Sequence, residues 1–221
     1  MTPILISQRL MENAEYPERR EGLDVRWGDF LMPCGFLPIP VALNVPLKEY
    51  FEILSPGGIL LTGGNDLAIF QEGEMNRTRD RLETDLIDYA IRLEVPLIGI
   101  CRGMQLVCHY FGCRLERIPG HFPEPHEVQL EAAASAFAMV YPPRFQANSF
   151  HQHGVLEAGP DLKIAARAGD QTIEAVEHKR NSIFGMMWHP ERERPFRSED
   201  LAFFQNVFLK RSPLAGKEKY L

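Results

Sequence analysis

The chain has 221 residues, of which 45% are hydrophobic and 24% are charged, and its formal net charge at pH 7 is −6. This length and hydrophobic content predict a single domain over residues 1–221 with a sizeable core. The acidic balance, with no block of like charges, argues against a nucleic acid as partner. No run approaches 18 apolar residues, so we expect no membrane partner.

Cysteine usage indicates the redox environment of the chain. Its four cysteines are Cys34, Cys101, Cys108 and Cys113. They form neither a CxxC pair nor a regular disulfide framework. The start, MTPILISQRL, has no basic segment followed by an apolar stretch, as a secretory signal would have. We therefore expect reduced thiols and a cytoplasmic location.

The first half of the sequence alternates apolar runs with helical periodicity. Strands are predicted over residues 3–7, 36–41 and 57–62, and helices over residues 17–32 and 47–54. The polar segment QRLMENAEYPERRE after the first strand predicts a loop. This βαβαβ order implies right-handed crossovers and an α/β fold, with a mostly parallel sheet flanked by helices.

The hydrophobic pattern of the sequence changes after Gly112. Short alternating runs predict strands over residues 126–130, 137–141, 163–168, 172–177 and 182–188. Turn residues at 169–170 and 179–181 predict hairpins between the last three. We therefore expect a partly antiparallel region in the C-terminal half, followed by an amphipathic helix over residues 198–210 and a frayed tail.

Cys101 lies where a predicted buried strand, residues 97–100, runs directly into a helix that ends near Gly112. Gly99 and Gly103 flank it in the Gly-x-nucleophile-x-Gly pattern of a tight strand-to-helix turn. Free N–H groups of the first helical turn would favour a thiolate and could hold an oxyanion. Taken alone, the same pattern also fits an ordinary buried cysteine.

The segment LTGGND, residues 61–66, ends another predicted parallel strand. Its glycines let backbone N–H groups approach a ligand, and the carboxyl ends of parallel strands meet at one edge of a sheet. This turn and Cys101 can therefore face one pocket. Taken alone, the segment is a simple loop signal.

His189 follows a hydrophobic strand, and Glu191 comes two residues later. A thiol nucleophile needs a base that takes its proton and a third group that orients the base. His189 is the candidate base and Glu191 the candidate orienting group. For this segment in isolation, a capping histidine beside a solvated charge run is the alternative.

Charged residues also precede the helix that leads to the Cys101 strand. Asp80 and Glu83 are placed as an N-terminal cap pair. Arg77 and Arg79 could instead pair with a carboxylate or phosphate of a substrate.

Four segments together resemble a known family. LTGGND, PLIGICRGMQ, NSFHQHG and GMMWHPE, in this order, resemble class I glutamine amidotransferase-like domains. The resemblance is strongest to the peptidase C26 branch of γ-glutamyl hydrolases, which includes γ-glutamyl-γ-aminobutyrate hydrolase, and it runs from the first strand to about residue 191. It implies a flavodoxin-like sheet, a Cys101, His189 and Glu191 triad, and an oxyanion hole from backbone N–H groups near Gly64 and of Arg102.

The resemblance also implies which residues bind the glutamyl group. Gln105, Ser149 and His151 match positions that line the substrate pocket in the family. Gln152 and His153 depart from the family pattern and receive no role. His151 and His153 lack a third ligand at metal spacing, so we expect no metal there. We expect no cofactor either, because a thiolate, a base and oxyanion donors suffice for amide hydrolysis.

These features predict a cysteine hydrolase that cleaves the γ-glutamyl amide of a small molecule and releases glutamate and an amine. The N-terminal segment more weakly resembles hydrolases that act on nucleotide-linked γ-glutamyl amides. Two alternatives stay open: a glutaminase subunit that supplies ammonia to a partner synthetase, and a non-catalytic ligand-sensing protein. The sequence is also compatible with a homodimer.

Overall fold

The computed structural model describes residues 1–131 and 135–209. The helices are α1 (Arg26–Leu31), α2 (Leu47–Leu54), α3 (Glu74–Leu93), α4 (Arg102–Tyr110) and α5 (Ser198–Leu209). The strands of the first half are β1 (Thr2–Ile6), β2 (Arg9–Glu12), β3 (Arg19–Gly22), β4 (Phe36–Pro40), β5 (Gly58–Leu61) and β6 (Leu97–Ile100). Those of the second half are β7 (Arg114–Arg117), β8 (His126–Leu130), β9 (Arg144–Ala147), β10 (His153–Glu157), β11 (Leu162–Ala168), β12 (Ile173–His178) and β13 (Ile183–Met186).

The parallel half of the main sheet has the order β4-β1-β5-β6-β13. Counted along the chain, these five parallel strands are arranged 2-1-3-4-5, which is the flavodoxin-like order. Its central strands are short and buried on both faces; β5 and β6 have all four residues buried. The predicted flavodoxin-like α/β sheet is thus confirmed.

The other half of the sheet is antiparallel, as predicted. From β13 the order continues β12-β11-β8-β9, and β10 and β7 extend from β12. The predicted turns at 169–170 and 179–181 join β11 to β12 and β12 to β13. The predicted strand over residues 137–141 is wrong, because a 3₁₀ turn spans Phe137–Met139. The rings of Phe137 and Tyr141, four residues apart, both pack on Phe203 of α5.

The N-terminal polar segment differs from its prediction. β2 and β3 form a separate antiparallel hairpin where a loop was expected, and α1 is confined to Arg26–Leu31 rather than residues 17–32. Within β2 only Leu10 is buried, so little hydrophobic alternation marks the strand in sequence. The backbone of Leu10 exchanges hydrogen bonds with the Asn65 side chain, which fastens the hairpin to the turn after β5.

Helix α5 confirms the predicted C-terminal helix as far as Leu209; residue 210 and the predicted frayed tail lie outside the described residues. Phe204 and Phe208 of this helix pack edge-on against Phe30 and Phe36 and close the core on one face of the sheet. Within residues 1–131 and 135–209, no helix combines the length and the apolar content needed to cross a membrane.

The strand-to-helix turn at Cys101 depends on two glycines. Cys101 has φ 51° and ψ −104°, so its backbone occupies a conformation that side chains rarely adopt. A Cβ atom on Gly99 would lie 2.6 Å from the carbonyl oxygen of Gly103, and one on Gly103 would lie 2.3 Å from that of Leu61. Both positions therefore require glycine, because β5, β6 and α4 meet there backbone to backbone.

Replacing Gly103 by alanine should destabilise the protein by about 2 kcal/mol or more, because the added methyl group would overpack a rigid backbone contact. Gly28→Ala in α1 is the matched control, since nothing lies within 4 Å of the added Cβ. The control should gain about 0.5–1 kcal/mol from its better helix propensity. Urea unfolding measures both, and equal free energies of unfolding would contradict the close contact.

Candidate active site

Three segments leave the sheet at the same edge. Gly99 of β6 pairs with Leu61 of β5 on one side and with Gly185 of β13 on the other. The turn after β5, the Cys101 corner after β6 and the segment after β13 therefore begin at one level. The predicted common edge for LTGGND and Cys101 is confirmed.

A cavity of about 770 Å³ opens at this edge. Cys101 and His189 line it together with Gly64, Arg102 and Gln105. Gly63 and Gly64, which follow β5, are packed closely against neighbouring side chains. A Cβ on Gly63 would lie 2.8 Å from Cε1 of His189, and Gly64 has φ +98°, which favours glycine.

His189 is held on both sides. Its Nδ1 lies 2.7 Å from Oε1 of Glu191, and the Cys101 side chain lies close enough to the ring to influence its charge. The side chain of Asn148 accepts a hydrogen bond from the His189 N–H and donates one to the His189 carbonyl, both at 2.9 Å. Glu191 and Asn148 thus fix the imidazole and its backbone at the cavity that Cys101 also lines, an order that suits proton transfer from sulfur.

The surroundings of His189 favour its charged form. Burial alone lowers the pKa of His189, but the negative charges of Glu191 and Cys101 outweigh burial and raise it to about 9. These surroundings therefore favour the imidazolium form of the ring over the neutral form.

The three residues predicted to bind substrate differ in placement. Gln105 lines the cavity and donates a hydrogen bond from Nε2 to the carbonyl of His153 at 2.9 Å. Ser149 is 1% exposed, and its hydroxyl donates to the carbonyl of His121 at 2.6 Å. His151 lines the cavity, but its ring nitrogens face the carbonyl of His153 and the ring of His121. Gln105 therefore lies at the cavity, whereas the polar side-chain atoms of Ser149 and His151 are hydrogen-bonded within the surrounding structure.

A buried ion-pair network supports the Cys101 corner from behind. Glu83 of α3 pairs with Arg79 at 2.9 Å and with Arg102, and Arg102 also pairs with Asp80. Burial raises the pKa of Glu83, but the guanidinium groups of Arg102 and Arg79 outweigh burial and lower it. The Arg102 side chain is thus committed to the network, and Arg102 is also the first residue of α4.

This network corrects two predictions. Asp80 and Glu83 are not an N-terminal cap pair, because α3 begins at Glu74 and places them in its second and third turns. Arg79 does not offer its guanidinium to a ligand. It is 1% exposed and donates to Glu83 and to the carbonyl oxygen of Thr62 at 2.8 Å. Arg77 pairs with the exposed Glu72.

The sequence reasoning missed several residues at the site. Asn148, which clamps the His189 backbone, is the first residue of the NSFHQHG segment, so the motif itself was the available signal. Arg9 and Arg192 line the cavity from β2 and from the turn after His189. The Arg192 guanidinium lies 4.6 Å from the centre of the Phe150 ring. Nothing in the sequence alone predicts that β2 reaches this edge.

Comparison with known proteins agrees with the fold and shows the family. Residues 7–191 match the peptidase C26 family. The γ-glutamyl-CDP-amidate hydrolase of Campylobacter jejuni subsp. jejuni is 35% identical over 85% of this chain and 89% of its own. The glutamine-hydrolysing GMP synthase subunit of Pyrococcus abyssi is 29% identical over 72% of this chain and 78% of its own.

A solved glutamine amidotransferase from Thermotoga maritima shares the fold. Its TM-score is 0.67 at 15% identity, with 95% of this chain and 84% of that chain covered. The chain belongs to the peptidase C26 family, among the class I glutamine amidotransferase-like proteins. It is a glutamine amidotransferase-like hydrolase.

Replacing Glu191 by glutamine should lower the pKa of His189 by about one unit or more, because an adjacent negative charge stabilises the imidazolium. NMR titration of the histidine side chains measures this shift, with about 9 expected in the wild type. Glu12→Gln, at the exposed side of the same cavity, should leave the value unchanged. An unshifted His189 in Glu191→Gln would contradict the assigned charge pairing.

Proposed function

We propose that the protein is a cysteine hydrolase that cleaves the amide bond of γ-glutamyl compounds and releases glutamate and an amine. The observation that carries the proposal is the arrangement of Cys101, His189 and Glu191 at one sheet edge, with a 2.7 Å contact between the imidazole and the carboxylate. Two similarities support it: the match to the peptidase C26 family and the 35% sequence identity to a γ-glutamyl-CDP-amidate hydrolase.

The proposed reaction begins with the thiolate of Cys101. It attacks the γ-carbonyl carbon, and the C–N bond breaks as the His189 imidazolium gives its proton to the leaving amine. A γ-glutamyl thioester remains on Cys101. His189, now neutral, takes a proton from water, the resulting hydroxide displaces the sulfur, and glutamate leaves. Glu191 orients the imidazole and stabilises its charge throughout.

The oxyanion formed in each step needs donors beside the sulfur. We assign this role to backbone N–H groups near Gly64 and of Arg102, which flank Cys101 at the cavity. Donors fixed before the reaction stabilise developing charge without reorganisation. The buried pairing of Arg79, Glu83 and Arg102 supports this assignment, since it ties the turn after β5 to the start of α4.

The leaving group is proposed to be a nucleotide-linked amide, as in the Campylobacter jejuni relative. A glutamyl group alone would occupy a small part of the 770 Å³ cavity. Arg9 and Arg192 line the remaining space, and guanidinium groups are well suited to phosphate. The alternative substrate is γ-glutamyl-γ-aminobutyrate, which has no phosphate group for these two arginines to bind.

Ammonia supply to a synthetase is the second candidate. It is favoured by the similarity to the Pyrococcus abyssi protein, and it would use the same three residues. Free glutamine would then be the preferred substrate, and a partner protein would raise the rate. Measuring glutamate release from free glutamine and from γ-glutamyl conjugates separates the two functions.

Replacing Cys101 by alanine should reduce glutamate release by about 10⁴-fold or more, because loss of a nucleophile removes the covalent route. Cys113→Ala is the matched control, since Cys113 lies outside the cavity lining, and it should retain most of the activity. Turnover that survives in Cys101→Ala would exclude this nucleophile. If Cys101→Ala abolishes glutamate release but leaves the effect of the protein in cells unchanged, the ligand-sensing alternative is favoured.

Replacing Arg9 by glutamine should raise KM for γ-glutamyl-CDP-amidate by about tenfold or more, because one charge-assisted contact to phosphate is lost. It should leave KM for glutamyl-γ-aminobutyrate unchanged. Arg20→Gln, on the same hairpin but paired with Glu18 away from the cavity, is the control. Equal effects on both substrates would contradict phosphate recognition by Arg9.

A further inference from the structure

A second polar cluster lies outside the triad, in the antiparallel half of the sheet. One ligand atom from each of His121, His126 and Glu174 lies within 4.8 Å of the others. The ring of His151 adjoins them, with Nε2 at 3.3 Å from Nδ1 of His121 and 3.6 Å from Oε1 of Glu174. The proposed hydrolysis uses none of these four side chains as a reacting group.

Hydrogen bonds on the outer side fix which nitrogens face inward. Nε2 of His121 lies 2.9 Å from a carboxylate oxygen of Asp170, and Nδ1 of His151 lies 3.1 Å from the carbonyl oxygen of His153. Both outer partners are acceptors, so both outer nitrogens carry the proton. The inner nitrogens of two neutral rings then present lone pairs to each other at 3.3 Å, which is repulsive unless a cation or an added proton lies between them.

Burial leaves other atoms of the cluster without partners. Glu174 is 1% exposed, and its Oε1 has no hydrogen-bond donor among the described residues. Both ring nitrogens of His126 are buried and likewise unpartnered within residues 1–131 and 135–209. A buried carboxylate and a buried imidazole in this condition are costly unless a further group satisfies them.

Several distances in the cluster match the spacing of ligand atoms around a tetrahedral ion. Zinc bonds of about 2.0–2.1 Å to nitrogen or oxygen place neighbouring ligand atoms about 3.3–3.4 Å apart. Nδ1 of His121 lies 3.4 Å from Oε1 of Glu174, and Nε2 of His126 lies 3.4 Å from Oε2 of the same carboxylate. Metal-bound histidines characteristically donate their other N–H to a carboxylate or backbone carbonyl, as His121 and His151 do here.

We propose that His121, His126, His151 and Glu174 bind a zinc ion that is structural rather than catalytic. Three imidazoles and one carboxylate form a donor set that suits zinc, whereas magnesium and calcium prefer oxygen ligands. His121, His126 and Glu174 already have ligand atoms within 4.8 Å of one another, and with His151 as the fourth ligand side chains would fill all four positions, which is typical of a structural site. The pair of His151 and His153 is not the site. The His153 ring stacks on Phe70 with 3.8 Å between ring centres.

The position of this ion gives it a role at the substrate cavity. His121 and His151 come from two separate loops, and their neighbours Phe122 and Phe150 line the cavity beside His189. Glu174 belongs to β12, in the sheet itself. The ion would therefore pin both loops to the sheet and hold the wall against which substrate binds.

The test measures zinc bound per chain by mass spectrometry after incubation with Zn²⁺ and dialysis. The wild type should hold about one zinc, and His126→Ala and Glu174→Gln should bind at least tenfold more weakly in competition with a chelator. His109→Ala, an exposed histidine of α4, is the matched control and should bind as the wild type does. Cys101→Ala should also keep its zinc.

Three results would overturn the proposal. These are no retained zinc in the wild type, unchanged affinity in His126→Ala, or loss of zinc in Cys101→Ala, which would place the ion at the catalytic thiol. If the buried variants fail to fold, Asp170→Ala replaces them. Asp170 is half-exposed in a hairpin turn, and loss of its contact to His121 should weaken zinc binding about tenfold.

Two further readouts apply to the intact wild type. Zn²⁺ should raise its melting temperature over that of the chelator-treated protein, because the ion binds the folded state, while Mg²⁺ should not. Chelation should raise KM for a γ-glutamyl substrate more than it lowers kcat. A loss of kcat alone would contradict a structural ion. Zinc content and melting temperature stand even if the proposed hydrolysis fails.

Discussion

The contact of α4 with the sheet at Gly103 is the constraint on which the site depends. Because a Cβ at this position would lie 2.3 Å from the Leu61 carbonyl oxygen, the helix can start only where the chain has no side chain. This close approach turns the backbone at Cys101 to a positive φ and brings the sulfur to the edge that β5 and β13 share with β6. Strain of this kind persists only where surrounding structure fixes it.

The buried pairing of Arg79, Glu83 and Arg102 supplies that surrounding structure. Arg79 bonds the carbonyl oxygens of Thr62 and Gly63, while Arg102 is the first residue of the helix that follows Cys101. Helix α3 therefore joins the two backbone segments whose N–H groups are assigned to the oxyanion. Removing one member of such a buried set leaves an uncompensated charge, so the network favours one arrangement over its alternatives.

The parallel half of the fold and the Cys101 corner were predictable because their signals are local. Four-residue apolar runs, flanking glycines and a helical period each specify structure within a few residues. The hairpin of β2 and β3 was not predictable, because Leu10 is the only buried residue of β2. The hairpin is attached to the rest of the fold through Asn65, which is distant in sequence. Likewise, no local pattern marks the cluster of His121, His126, His151 and Glu174, because residues from two strands of the antiparallel half and from two loops meet only in the folded chain.

The proposed chemistry and the proposed selectivity depend on different parts of the fold. Cys101 and His189 follow the ends of adjacent parallel strands, so the chemistry proposed for them tolerates little variation in their positions. The opposite wall comes from the N-terminal hairpin and from the loops that carry Phe122 and Phe150. These parts have few backbone pairings to the parallel strands and can vary without moving the sulfur. Under the proposed mechanism, a change of leaving amine therefore requires a change in this wall and not in the three reacting residues, which is consistent with the different activities named for the relatives of this chain.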